Sequence, residues 1–209
     1  MQREKGINVM RTLKYVILGL LMERPMTGYD IVKTFSERLN EFWYAKHSQI
    51  YPELKRLEEE GLVEFSIQIT GEVMEKKCYF LTDKGKQEFK RWLKAETDLE
   101  PAPKDVFRLK VYFLAFLEPE KRQEIFQQQI CLHQERLSHL VEEYEKYSAL
   151  PEASDPALGD YMVLEHGVMR ERMTIEWLEK CICQLKSAAG GACAGEGALE
   201  GKKFPDPGK

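Results

Sequence analysis

Apolar positions recur along the first hundred residues with two periods. Leu13, Ile17, Leu20 and Leu21 share one helical face over Met10 to Met22, and Arg24-Pro25 ends that run because a proline constrains the residue before it and supplies no backbone donor. Thr27-Gly28-Tyr29-Asp30 has the form of a capping box and opens a second helix through about Asn40, with Ile31, Val32, Phe35 and Leu39 facing a core. Phe42-Trp43-Tyr44 follows, an aromatic cluster expected to seal that core, since each buried ring removes roughly 150–250 Å² from water. A third helix, Ser48 to Glu60, carries Ile50, Leu54 and Leu57 at i, i+4, i+7. After Gly61 the period drops to two: Val63 to Ile69 alternates, extended character resumes at Lys76 to Leu81, and Gly71-Glu72 marks the turn of a β-hairpin. Thr82 caps a further helix, Asp83 to about Glu96, with Phe89, Trp92 and Leu93 as its apolar side.

Thr97 to Pro103 holds two prolines and reads as a linker, and beyond it the pattern is helical throughout. A short aromatic helix spans Asp105 to Leu117. From Glu120 to about Leu150, Phe126, Ile130, His133, Leu137, Leu140, Tyr144 and Tyr147 make a near-heptad stripe that requires a partner helix. The last helix, about Leu158 to Lys186, has two apolar faces: Leu164, Val168, Ile175, Leu178, Ile182 and Leu185 on one, Met162, Met169, Met173 and Trp177 on the other. A helix apolar on two sides is buried on two sides, which points to packing within the chain and across a dimer. The expected fold is therefore mainly α. A winged helix-turn-helix domain of three helices, a hairpin wing and a further helix occupies residues 1–96, an α-helical dimerisation domain occupies 103–187, and the aperiodic Gly- and Ala-rich stretch 188–209 is expected to be disordered.

Charge divides the chain in the same place. The 209 residues carry a net charge of −4, yet residues 1 to 95 hold 17 Lys and Arg against 14 Asp and Glu, and the remainder 14 against 21. A mildly basic first half and an acidic second half imply divided labour. With 43% hydrophobic and 32% charged residues and no apolar run of about 18, the composition is that of a globular protein without a membrane span, expected in the cytoplasm. Five cysteines without scaffold spacing argue against a disulfide framework, and reduced thiols are expected.

The third helix carries the candidate chemistry. Opposite its apolar stripe lie Ser48, Gln49, Pro52, Lys55 and Arg56, while Glu58, Glu59 and Glu60 crowd its C-terminal end, away from the leading half that approaches base edges in helix-turn-helix docking. Gln49 can pair with an adenine edge, and Lys55 and Arg56 can reach guanine or phosphate, each good base contact being worth about 1–3 kcal/mol of discrimination. Ser48 reads first as the helix cap, with a DNA contact as the alternative. Tyr51 suits either a phosphate contact or packing against the wing, and Lys76 and Lys77 either meet phosphate or keep the strand edge solvated.

Other constellations are weaker. Cys181-Ile182-Cys183 with His166 does not read as a metal site, because C-x-C on a helix points its sulfurs about 200° apart. His133 reads as a polar residue setting helix register, with pH or ligand sensing as the alternative. Phe107, Tyr112, Phe113, Met169, Met173 and Trp177 are ordinary core or the lining of an effector pocket. No phosphate loop, nucleophile elbow or zinc-protease motif is present, so neither enzyme nor cofactor is expected.

Five ordered segments carry a family resemblance: Leu18-Gly19-Leu20-Leu21, Pro25 to Asp30, Ser48 to Glu58, Gly61-Leu62-Val63, and Tyr79-Phe80-Leu81-Thr82-Asp83-Lys84-Gly85. Together they resemble the PadR family of bacterial transcriptional regulators, and the helical second half is similar in layout to the dimerisation domain of its long type. The resemblance implies a homodimer that binds a pseudo-palindromic double-stranded DNA operator, usually as a repressor, and often lets go when a small aromatic or hydrophobic effector binds. It places Ser48, Gln49, Tyr51 and Lys55 in the major groove and Lys76 and Lys77 on the wing, although Thr70-Gly71-Glu72-Val73 supplies less positive charge than many relatives carry there. Half-sites about one or more helical turns apart are expected, with effector binding between the domains changing the separation of the two recognition helices. The alternative from another class is a winged-helix protein-interaction module; the segregation of Glu58, Glu59 and Glu60 from the leading end favours DNA.

Overall fold

A computed structural model describes residues 11–39, 47–70, 74–99 and 103–190, and the chain divides into two compact units, 1–101 and 102–209. The first opens with α1 (Thr12–Glu23), β1 (Met26–Thr27) and α2 (Gly28–Thr34), the last prolonged by a wider turn over Phe35–Leu39. A 3-10 turn at His47–Gln49 leads into α3 (Ile50–Glu59), and β2 (Val63–Thr70), β3 (Met74–Leu81) and α4 (Asp83–Leu93) complete it. The expected aromatic cluster Phe42-Trp43-Tyr44, the tip of the hairpin at 71–73 and the tail beyond Gly190 lie outside the described residues.

Local chemistry explains these boundaries. Thr27 Oγ1 accepts from the Asp30 amide at 3.2 Å and Asp30 Oδ2 from the Thr27 amide at 3.0 Å, the reciprocal capping box expected from the sequence. A further bond, from the Thr27 hydroxyl to Asp30 Oδ2 at 2.7 Å, does most to hold the Asp30 carboxyl below its ordinary range, against the opposing effect of burial. At the far end of α3, Gly61 adopts φ +66°, which lets Leu62 donate to the Leu57 carbonyl and Gly61 to Glu58, a Schellman closure that only a residue without Cβ makes cheaply. Ile17, Leu18, Ile31, Ile50, Leu54 and Leu57 have no solvent exposure, so all three helices of the helix-turn-helix bury the stripes read from the sequence.

The sheet has one strand more than the hairpin. β3 is central, with β2 antiparallel on one side (Phe65 opposite Tyr79, Ser66 opposite Cys78) and β1 on the other (Met26 opposite Tyr79, Thr27 opposite Cys78). Two residues carry no period of their own, so β1 is created by its distant partner. On α4, Trp92 stacks on Tyr15 at 4.7 Å and 5°, while Leu93, expected on the apolar side, is 61% exposed.

The second unit comprises α5 (Val106–Tyr112), a 3-10 turn (Leu114–Phe116), α6 (Pro119–Tyr144) and α7 (Ala157–Ala188). The helix expected to run from Asp105 to Leu117 breaks at Phe113. Glu118, extended ahead of Pro119, sets the start of α6, and Arg122 donates to the Leu117 and Ala115 carbonyls. α6 ends six residues before the expected Leu150; Tyr147 lies past its end but still donates to Asp160 at 2.5 Å. Phe126 facing Trp177, His133 facing Glu171, Leu140 facing Gly167 and Tyr144 facing Tyr161 show that α6 and α7 run antiparallel, so the heptad stripe finds its partner within the chain. Gly167 lies against Leu140, and a Cβ there would meet that side chain at 3.4 Å, an ordinary van der Waals contact. Among the described residues no helix is long and apolar enough to cross a membrane. Cys78, Cys131 and Cys181 are free thiols, but Cys183 is disulfide-bonded, a departure from the expectation of reduced thiols; an odd count argues against a framework without forbidding one bond.

Candidate nucleic-acid interface

α3 separates its faces sharply. Ile50, Leu54 and Leu57 are buried beneath it, while Tyr51, Pro52, Lys55 and Arg56 are exposed above, continuous with exposed Ser48 and Gln49 in the preceding 3-10 turn. The helix therefore begins later than Ser48, and its N-cap is Gln49, whose side chain makes no cap hydrogen bond. The capping role expected of Ser48 is not what the fold uses: Ser48 lies inside the 3-10 turn that runs into α3, whereas a cap residue stands outside the helical conformation. Tyr51, 55% exposed, lays its ring over Gly28 at the start of α2, where a Cβ would fall 2.6 Å from Tyr51 Cε1. Neither that contact nor the need for glycine at position 28 shows in the local pattern.

The charges around α3 are paired more fully than the sequence suggests. Lys55 lies 3.9 Å from Glu59, an exposed i,i+4 pair worth little, so its ammonium is readily given up to a phosphate. Lys77 sits 3.6 Å from Glu58 and 3.6 Å above the centre of the Phe65 ring. It ties the wing to α3, whereas Lys76, its strand neighbour, points to the opposite face by the two-residue period and is exposed beside Asp30. The two wing lysines thus have different surroundings.

One acidic residue in the leading half of α3 escapes the simple reading that the acids cluster at its end. Glu53 is only 5% exposed. Arg11, just before α1, donates to its Oε1 from Nη2 at 2.7 Å and from Nε at 3.2 Å, while Arg56 Nη1 lies 3.7 Å from Oε2. Arg11 also binds Glu60, two turns further along the same side of α3, and Lys14 lies 3.7 Å from Glu60 and 2.9 Å from Glu88. Burial would lower the Arg11 pKa, but its bonds to Glu53 and Glu60 outweigh that and raise it. Spacing contains the signal that was missed: Ile50, Glu53, Leu54 and Leu57 form one i, i+3, i+4, i+7 set, so position 53 belongs to the buried side.

In the second unit the six residues read as possible pocket lining separate into two groups. Phe107 and Trp177 join Phe126 in a mutually edge-on aromatic trio, with centroids 5.6–6.5 Å apart. Tyr112 and Phe113 touch each other at 5.0 Å but are largely exposed, as are Met169 and Met173, the last at 64%. The more unusual site is Glu171, 1% exposed, which meets His133 of α6 and Arg170 at 2.9 Å. Burial would raise its pKa; the bonds from His133 and Arg170 overcome this and hold it below the ordinary range. His133 so works as a polar partner across the helix pair.

Comparison with known proteins accords with this geometry. Residues 17–91 match the model of the transcriptional regulator PadR-like family, and residues 103–186 match that of the virulence activator alpha C-terminal domain. The negative transcriptional regulator PadR of Bacillus subtilis is 44% identical over 179 residues, covering 84% of this chain and 98% of that protein. The crystal structure of Bacillus subtilis PadR with operator DNA superposes with a TM-score of 0.80 at 43% identity, and that with p-coumaric acid with 0.76 at 42%, each covering 84% of this chain and 99% of the other. Identity at this level over nearly the whole of the relative, with the PadR-like model matched across the first unit, shows that this chain belongs to the PadR-like family of transcriptional regulators.

Proposed function

We propose that the chain is a sequence-specific DNA-binding repressor, acting in the cytoplasm as a homodimer, with residues 1–96 binding the operator and residues 103–187 forming the dimer. The observation that carries this is the outward face of α3, whose Gln49, Tyr51, Lys55 and Arg56 stand clear of the core in a chain 43% identical to an operator-bound relative. Gln49 suits a base edge, Lys55 and Arg56 suit guanine or phosphate, Ser48 and Tyr51 suit the flanking phosphates, and Lys76 suits phosphate from the wing. Lys77, held by Glu58 and Phe65, serves chiefly to hold the wing against α3. The exposed apolar residues Tyr112, Phe113, Met169 and Met173 support a second copy as the covering partner, since isolated chains rarely leave this much apolar surface in water. The effector we propose is a small aromatic acid of the p-coumaric type, the ligand of the Bacillus subtilis relative, with Phe107 and Trp177 as the aromatic groups nearest to hand. A ligand that binds the DNA-incompetent arrangement better shifts the population away from the operator.

The test is a titration against a duplex from the chain's own upstream region and a scrambled duplex at two salt concentrations. A preference of about a thousandfold at two chains per site is expected. Gln49→Ala should relax specificity at one base position per half-site, whereas Lys76→Ala should weaken binding on all sequences and lower the salt slope by about two, one contact per half-site. Equal losses on every sequence from both variants would refute this division, and affinity unmoved by p-coumaric acid would refute the effector.

A further inference from the structure

Glu53 poses a problem for any DNA-binding reading of α3. It stands in the leading half of the recognition helix, three residues before Arg56, and its side chain is buried between α3 and the start of α1. A carboxylate there repels the phosphates that flank the groove and competes with them for the nearest cation on the helix, Arg56. Its two oxygens are unequally engaged. Oε1 accepts two N–H groups of Arg11, at 2.7 and 3.2 Å, while Oε2 keeps only a loose approach of 3.7 Å to Arg56, whose side chain is 63% exposed.

We propose that Arg11 is a positioning residue for DNA recognition: by binding Glu53 from the side of α1 it neutralises the acidic residue in the leading half of α3 and leaves Arg56 turned outward, available to the duplex. Arg11 itself faces away from the recognition surface, since its second partner, Glu60, lies seven residues beyond Glu53 on the flank of α3 that packs toward α1. Lys14 completes the arrangement by sharing Glu60 and binding Glu88 of α4, so the start of α1 supplies the countercharge for both acidic ends of that flank. Without Arg11, the whole charge of Glu53 falls to Arg56, which folds back along the helix at i+3 and is withdrawn from the DNA. This inference rests on the DNA reading proposed above.

The experiment uses the full chain and a duplex selected from a random library by the wild-type protein. Arg11→Gln is expected to bind that duplex more weakly by roughly 25-fold or more at 0.1 M salt, one good contact being lost in each half-site. The slope of log affinity against log salt should become shallower by about two, as one cation in each half-site leaves the phosphates. Glu53→Gln should bind within about threefold of wild type or more tightly, and the double variant Arg11→Gln/Glu53→Gln should return to within about threefold, because the charge that captured Arg56 is gone. A purely structural brace predicts the reverse: Glu53→Gln as weak as Arg11→Gln, no rescue in the double variant, and an unchanged slope. Any of those results, or Arg11→Gln at wild-type affinity, overturns the proposal. If Arg11→Gln fails to fold, Glu53→Gln decides alone: wild-type affinity or better supports the proposal and a loss beyond about fivefold overturns it. Failure of the wild-type protein to select any duplex would remove the DNA reading itself, whereas failure confined to the variants removes only the role of Arg11.

Discussion

Gly85→Ala would be a stabilising change in most helices and should be a damaging one here. Gly85 lies in the first turn of α4 and its amide donates a hydrogen bond to Thr82 Oγ1 at 3.0 Å. A Cβ on it would fall 2.1 Å from the carbonyl oxygen of Leu62 and 3.0 Å from its carbon. Both obstacles are backbone, so α4 and the chain leaving α3 must part by about 0.9 Å to bring the oxygen even to 3.0 Å. The same junction holds three bonds that such a shift would stretch. Thr82 donates from its amide to Leu62 at 3.1 Å and from its hydroxyl to Gly61 at 2.8 Å, and Lys84 Nζ donates to Glu60 at 2.7 Å.

The magnitude follows from three contributions. Replacing helical glycine by alanine favours folding by about 1 kcal/mol. Overpacking against an unyielding neighbour costs about 3 kcal/mol or more, and one weakened hydrogen bond about 1 kcal/mol. The net destabilisation is then about 3 kcal/mol, a fall of roughly 12–24 °C in the melting temperature of a unit of this size. Calorimetry of the full chain reads it directly. Gly159→Ala in α7 is the control, because nothing lies within 4 Å of the added carbon there, and the same substitution should be neutral or stabilising. Gly85→Ala melting at or above the wild-type temperature would refute the reasoning, as would an equal loss at Gly159.

Two further substitutions test separate links. Gly28→Ala places its Cβ 2.6 Å from a movable, half-exposed ring, so it should displace Tyr51 at little cost in melting temperature yet weaken operator binding by roughly fivefold or more; a stability loss with unchanged affinity would refute a DNA-side role for that ring. Glu171→Gln should cost about 1–3 kcal/mol near neutrality by weakening charged hydrogen bonds to His133 and Arg170. Because the folded pKa of Glu171 is depressed below 4.5, the stability its charge supplies is present above that pH and lost as pH falls through the folded value. Urea unfolding of the variant should therefore show a flatter acid limb below about pH 4.5 than the wild type, and a limb of unchanged steepness would refute the linkage.

What the sequence determined by itself were the features written in short-range periods and in residues with one dominant use. The stripe Ile50, Leu54, Leu57, the capping box Thr27 to Asp30 and the alternation of Val63 to Ile69 each depend on neighbours within seven positions, so helix, cap and strand were legible before any tertiary contact. Only the tertiary structure decided the rest. β1 exists because β3 offers it a partner about fifty residues away, and Tyr51 is placed by Gly28, whose importance is the absence of a side chain. Glu53 and Glu171 are acidic residues at positions where the periodicity demands burial, and what makes that burial tolerable comes in each case from another element, Arg11 before α1 and His133 on α6. A buried charge is stable only when its partners and geometry are supplied together, and partners 42 and 38 residues away are brought within reach only by the fold.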